Sequence, residues 1–170
     1  MKIEVVVGNI VMQPDVDALV NSANANLRLG SGVAGAIHTA AGPELEVFCK
    51  PFAPLELGAA LITPGFNLPN PWVIHVRSAH YILNTEPERY MSFAMFSMLN
   101  TARDNGIKSL AMPAIGTGVF KFPPMLAARI TAKALREFEK KSDAIELVRI
   151  CVVNEELRRL YESAVSLEDI

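Results

Sequence analysis

The stretch "GSGVAG", residues 30–35, fits the spacing G-x-G-x-x-G, which in one setting cradles the pyrophosphate of a dinucleotide. That setting also needs a strand ending at the first glycine, a helix starting near the last, and an acidic residue about 20 positions on, at the end of the next strand. Here the preceding strand pattern stops near residue 21, an asparagine-rich loop intervenes, and "FCKPFAPLEL" holds no strand ending in Asp or Glu. The dinucleotide reading is therefore rejected. A P-loop fails too, because no Lys-Ser/Thr pair follows Gly35. What remains is the physics of glycine beside a helix start. Backbone N–H groups there are unpaired and favour an anion such as phosphate. Gly30 and Gly32 can take positive φ and let a bulky anion approach. Taken alone, these glycines could equally serve only to turn the chain. A second loop shifts the balance: "AIGTGVF", 114–120, again follows a strand pattern and precedes a helix pattern, and it carries Gly116, the Thr117 hydroxyl and Gly118. Two such loops can grip neighbouring phosphates from opposite sides, beyond the carboxyl ends of strands. Together they point to a diphosphate flanked by two sugars.

The elements that must position these loops alternate. β-Branched or apolar runs predict strands over 2–7, 16–21, 58–65, 72–78, 109–115 and 147–153. Apolar spacing predicts helices over 33–42, stopped by Gly42-Pro43, and over 85–106, with Thr85 as N-cap, Glu88 completing a capping box and Gly106 as the stop. Two more helices are predicted over 123–141, opened by proline, and 155–165. Strand–helix alternation argues for α/β with a largely parallel sheet. The 85–106 helix is apolar almost all round its middle; Met91, Met95, Phe96 and Met98 are read as core packing.

The 170 residues suggest one domain, over 1–165, with a tail "SLEDI", 166–170, that frays. The chain is 51% hydrophobic and 20% charged with a formal net charge of -2, an ordinary globular composition. Lys and Arg cluster no further than pairs such as Lys140-Lys141 and Arg158-Arg159, so general nucleic-acid binding is not expected. The first apolar run, "IEVVVGNIVM", is interrupted by Glu4 and Asn9; it is too short to span a bilayer and lacks a signal-peptide layout. Cys49 and Cys151 are read as separate reduced thiols, neither a disulfide framework nor a zinc site. These features point to the cytoplasm or another reducing compartment, with no membrane partner, no metal and no cofactor.

The segment "VDALVNSANANLRLGSGVAGAIHTAAGPEL" resembles the macrodomain family of ADP-ribose-binding α/β modules, whose typical run is V-D-A-I-V-N-A-A-N, a glycine-rich loop, G-A-I-H and A-A-G-P. "ALITPGFNLPNPWVIHV" is similar to the family's I-T-x-G-x-x-L-P…V-I-H segment, and "SLAMPAIGTGVFKFPPMLAARIT" to its F-P-A-I-S-T-G-V-[FY]-x-[FY]-P segment. Three motifs in the right order cover nearly the whole chain. The resemblance implies a three-layer α/β/α sandwich around a mixed, largely parallel sheet of about six strands. It implies that Gly30, Ser31, Gly32, Val33 and Ala34 line one side of the diphosphate, and Ile115, Gly116, Thr117, Gly118 and Val119 the other. Phe120 would cover the distal ribose, and Asn24, the one candidate catalytic residue, would hydrogen-bond it. Asn9 and Ile10 would meet the adenine, with Val153 and Asn154 completing the ligand-binding set. The implied partner is ADP-ribose or an ADP-ribosylated molecule. His38 and His75 fall on family-like positions and are read as structural hydrogen-bonders; Asn21 is read as tying its loop to its own strand end.

The chain departs from the family pattern in ways that bear on chemistry. Asn9 stands where the family usually has Asp, so the bond accepted from the adenine amino group loses its charge assistance. Val153 replaces a frequent aromatic, and base–aromatic stacking is worth about 1–3 kcal/mol. Leu29 and Ser31 replace glycines of the commonest hydrolase loop, and His80-Tyr81 follows "VIHVRSA" where the family more often has a Gly-Pro turn. Most consequential is Ala34. Hydrolytic members usually carry Asp there, paired with the equivalent of Asn24. Alanine accepts no proton, and general acid–base help is worth about 10²–10⁴-fold. Binding of ADP-ribose or ADP-ribosyl groups is therefore the leading expectation. The alternative is a slow hydrolase of ADP-ribosyl esters, either an O-acetyl-ADP-ribose deacetylase or a protein de-ADP-ribosylase, using water oriented by Asn24 and ligand phosphate.

Overall fold

The computed structural model describes residues 1–168. Six strands form one sheet: β1 (Lys2–Val7), β2 (Ala18–Ser22), β3 (Ala60–Pro64), β4 (Trp72–Val76), β5 (Ser109–Pro113) and β6 (Leu147–Val152), in the order β1-β6-β5-β2-β4-β3. Every pairing is parallel except β3 with β4, so the sheet is mixed with one antiparallel edge. Side-chain alternation along the strands sorts the core into two faces. Ala18, Val20, Ile74, Val76, Leu110, Met112, Ile150 and Val152 pack with residues of α3 (Pro87–Asp104), α4 (Pro124–Lys141) and α5 (Glu155–Glu168). Their neighbours Leu19, Val73, Ala111 and Cys151 face the other way, toward α1 (Gly32–Ala41) and α2 (Glu44–Cys49). The result is the expected α/β/α sandwich. Met91, Met95 and Met98 are fully buried and Phe96 packs against the core, as the helix pattern predicts.

Three local expectations are corrected. First, α2 and the 3-10 turn over Lys50–Phe52 were not foreseen, because the Gly42-Pro43 breaker that ends α1 is also where the next helix starts, with Pro43 as its N-cap. Second, α3 starts from Glu86, in a left-handed conformation with φ 48, rather than from Thr85, and no side chain caps it; Pro87 at the first helical position needs no N–H partner. Third, α5 continues through Glu168, into the tail expected to fray; 169–170 lie outside the described residues.

A buried polar chain links β2, β4 and β3. Asn21 Nδ2 donates to His75 Nδ1 (3.0 Å), which assigns the ring proton to Nε2, facing Thr63 Oγ1 at 3.0 Å. The Thr63 hydroxyl in turn donates to the Pro64 carbonyl (3.1 Å). Asn21 therefore bonds across to β4 and does not tie its own strand end. His38 is no hydrogen-bonder: its ring nitrogens are buried without a partner among the described residues, and the ring sits 6.2 Å from that of His75. Burial, with His38 adding to it, pushes His75 down to about 3 from an ordinary 6.5. Burial lowers His38 as well. Between about pH 6.5 and 3 the unfolded chain takes up a proton that folded His75 refuses. Its contribution to stability is thus complete above pH 6.5 and is lost as pH falls, by about 1.4 kcal/mol per pH unit. Urea denaturation at about pH 7 and about pH 5.5, above the usual carboxylate range, is expected to show this slope in the native chain and a flatter one in His75→Gln. An unchanged slope in the variant would mean that another group is responsible.

Candidate functional site

The carboxyl ends of β1, β6, β5 and β2 open into a cleft of about 1000 Å³. From β1 come Asn9 and Ile10, from β6 Val153 and Asn154, from β5 Gly116 through Phe120, and from β2 Asn24 followed by Gly30 through Ala34. Every residue expected at the site lines it except Ile115. That side chain is 1% exposed and belongs to the core beneath α4, and its N–H is spent on the Pro113 carbonyl (2.9 Å). The tight turn that ends β5 sends this position inward, so the motif runs through Ile115 for packing.

Three helices begin at the cleft, and they begin differently. Neither α1 nor α4 has an acidic residue in its first turn, and Ser31, the N-cap of α1, makes no side-chain capping bond. Both starts turn the positive end of the helix dipole toward the cleft; α1 adds free amide N–H groups, whereas α4 opens with Pro123 and Pro124, which have none. By contrast, α5 carries Glu155 and Glu156 in its first turn, and Asn154 Oδ1 caps the Leu157 N–H (2.9 Å). The α5 start is already satisfied by its own chain. No lysine or arginine occurs among the described residues lining the cleft, and Glu156 is the one carboxylate among them. An anion is therefore favoured between α1 and α4, and a neutral group at α5.

Glycine is required in the first loop for two separate reasons. Gly32 sits at φ +59, where L side chains are strained. A Cβ on Gly35 would stand 2.5 Å from the Gly30 carbonyl oxygen, so the third glycine lets the loop fold back on α1. Asn24 organises the same loop: its Nδ2 donates to the Arg28 carbonyl (2.7 Å) and its Oδ1 accepts from the Arg28 N–H (3.0 Å). Each end of that amide retains capacity for one more partner. Ala34 is 5% exposed, with its methyl toward the cleft wall.

At the opposite end, Asn9 Oδ1 accepts from the Val11 N–H (3.1 Å). An N–H requires an oxygen there, so the bond fixes the amide's orientation and leaves the NH₂, a donor, without a partner among the described residues. Oδ1 keeps a second lone pair, so both ends of the Asn9 amide remain open to a base. Arg149 anchors the segment that carries Asn9. It pairs with both oxygens of Asp15 (2.7 and 2.8 Å) and bonds Glu4 (2.8 Å) and Gln13 (3.1 Å). Its guanidinium holds the Glu4 and Asp15 carboxyls below their usual range. Ser22, Pro124, Glu156, Leu157 and Leu160 also line the cleft and were missed in the sequence. The last three share one end of α5, and the amphipathic spacing of that helix is the signal that could have found them. Among the described residues no three His, Cys, Asp or Glu side chains gather as metal ligands would, and no helix is long and apolar enough to cross a membrane.

The sequence model of the Macro domain family matches residues 20–131. The chain is 39% identical over 166 residues to the O-acetyl-ADP-ribose deacetylase of Enterobacter sp. (strain 638), covering 95% of this chain and 92% of that one. Its fold is similar to that of the Oceanobacillus iheyensis macrodomain with ADP, with a TM-score of 0.92 and 30% identity over 99% of this chain and 93% of that one. It is also similar to the Trypanosoma brucei macrodomain in complex with ADP-ribose, with a TM-score of 0.89 and 30% identity over 96% of this chain and 68% of that one. By motif, sheet order and cleft, the chain belongs to the Macro domain family.

Proposed function

We propose that this protein binds ADP-ribose, free or attached to another molecule, and that it grips this ligand more effectively than it hydrolyses it. The observation that carries the reading is the pair of glycine loops at acid-free helix starts, in a cleft whose described lining offers no cation. A diphosphate then meets the amides at the start of α1 and those of the 116–118 loop, with the α4 dipole behind the latter. The adenine then lies toward Asn9, Ile10, Val153 and Asn154, and the distal ribose toward Asn24 and Phe120. The relatives with ADP, with ADP-ribose and with O-acetyl-ADP-ribose deacetylase in their names support the ligand class. With Cys49 and Cys151 buried as free thiols, both pushed up to about 11 by burial, the cytoplasm is the proposed location.

Gly118→Glu tests the grip. A Cβ at Gly118 meets nothing within 4 Å, so the variant is expected to fold while setting a carboxylate against the diphosphate. Calorimetric titration should register ADP-ribose binding to the native chain and its loss in the variant. Absence of heat and of thermal shift with the native chain at millimolar ligand would refute the reading.

Base recognition is expected to be loose. Asn9→Asp retains one oxygen for the Val11 N–H and turns the other, an acceptor, to the adenine amino group. Val153 is 81% exposed at the cleft wall, and Val153→Tyr adds a stacking surface worth about 1–3 kcal/mol. Both variants should tighten ADP-ribose binding; unchanged affinity in both would put the adenine elsewhere.

The reading of slow hydrolysis rests on the deacetylase relative and on Asn24 beside the ribose end. Ala34 supplies no base, and the one carboxylate among the described lining residues, Glu156, stands at the other end of the cleft, on α5. Ala34→Asp is expected to raise O-acetyl-ADP-ribose turnover by about 10²–10⁴-fold without tightening binding, because the added group acts on the transition state. A native rate equal to that of the variant would show that the base comes from elsewhere in the chain.

A further inference from the structure

The cleft follows the sheet order β1, β6, β5, β2, and the next strand in that order is β4. The loop after β4 therefore stands next in line, beyond the ribose end. Tyr81 N–H donates to the Phe120 carbonyl (2.7 Å), and the Tyr81 ring packs on Phe122 with centroids 5.1 Å apart. Residues 80–84 are locked by their own hydrogen bonds. His80 N–H donates to Asn84 Oδ1 (2.7 Å), and Asn84 N–H donates to the His80 carbonyl (3.1 Å). The N–H groups of Ile82 and Leu83 both donate to His80 Nδ1 (3.2 Å each). This closed tip displays Ile82 at 72% and Leu83 at 78% exposure, and its Tyr81 bond joins it to Phe120, next in sequence to Val119, which is 64% exposed at the cleft rim.

Single exposed apolar residues are ordinary. Two in succession on a hydrogen-bonded tip, joined by a backbone bond to the cleft wall, form a different arrangement: a surface already ordered, with little conformational entropy left to lose on contact. Residues 80–84 carry no Lys, Arg, Asp or Glu. The tip itself therefore offers apolar side chains a complement, and exposed Lys121, between Phe120 and Phe122, is the cation nearest to it in the chain segments it touches.

We propose that the 80–84 tip contacts the polypeptide to which the ligand's distal ribose is attached, and that it selects an extended segment with apolar side chains beside the modified residue. The proposal rests on the ADP-ribose reading. His80 and Tyr81, which stand where the family more often turns through Gly-Pro, are then positioning residues: His80 gathers the tip and Tyr81 fastens it to the cleft.

The test is calorimetric titration of the native chain and of the double variant Ile82→Asp, Leu83→Asp with three ligands. These are free ADP-ribose and two short peptides, each singly ADP-ribosylated on a central serine, one flanked by Leu and Val and the other by Gly and Ser. Both substituted side chains are largely in solvent, so the variant is expected to fold and to bind free ADP-ribose as the native chain does. The native chain should prefer the apolar-flanked peptide by about tenfold, the scale of partly burying two aliphatic side chains. The variant should bind both peptides alike. Equal binding of the two peptides by the native chain would overturn the proposal while leaving the ADP-ribose reading intact, as would a variant equally weakened toward free ADP-ribose. Concentration-dependent dimerisation lost in the variant, without peptide discrimination, would assign the tip to a second copy of the chain and overturn it too. A native chain that fails to bind free ADP-ribose would overturn both readings.

Discussion

An anion held without a cation is the constraint on which the rest of the structure depends. The described lining of the cleft contains no lysine or arginine, so on the proposed reading the amides of α1 and of the 116–118 loop, with the dipoles of α1 and α4, supply the positive potential. That requirement explains why α1 and α4 start without acidic residues while α5 starts with two. It explains a loop whose third glycine admits the Gly30 carbonyl at a distance no Cβ would tolerate. It also explains the parallel strands, since only carboxyl ends gathered on one side bring both loops to one ligand.

The two ends of the cleft are then free to differ. The base end is anchored by Arg149 through Asp15, Gln13 and Glu4, so the segment bearing Asn9 is rigid although its side chain is exposed. Here one local bond, Val11 N–H to Asn9 Oδ1, fixes the orientation of the Asn9 amide. The ribose end is organised by Asn24, whose amide pins Arg28 at both atoms. On the proposed reading, positioning by Asn24 with no base at residue 34 fixes the ligand and leaves attacking water without a proton acceptor.

Much of this was legible in the sequence, and the exceptions have physical causes. Near-continuous β-branched and apolar runs marked all six strands to within a few positions, because the sheet is covered on both faces, by α3, α4 and α5 on one and by α1 and α2 on the other. The loops were legible because glycine spacing reports on backbone shape. What stayed hidden were orientations. Ile115 carries the motif but turns into the core, and Asn21 bonds across the sheet to His75. His38 occupies a family position yet pairs with nothing described. Glu86 takes a left-handed conformation that no propensity assigns to glutamate, and the short α2 begins where a Gly-Pro pair reads as a stop. Each is fixed by tertiary neighbours that a one-dimensional pattern does not contain.

The central claim is that amides, and not side-chain cations, hold the ligand's diphosphate. The most direct measurement is a set of ¹H–¹⁵N correlation spectra of the labelled chain during titration with ADP-ribose. The account predicts that the largest shifts fall on the amides of Gly32, Val33, Ala34, Gly116 and Gly118, with smaller ones at Asn9 and Asn154. Shifts confined to lysine- and arginine-bearing surfaces, with both glycine loops unmoved, would contradict it.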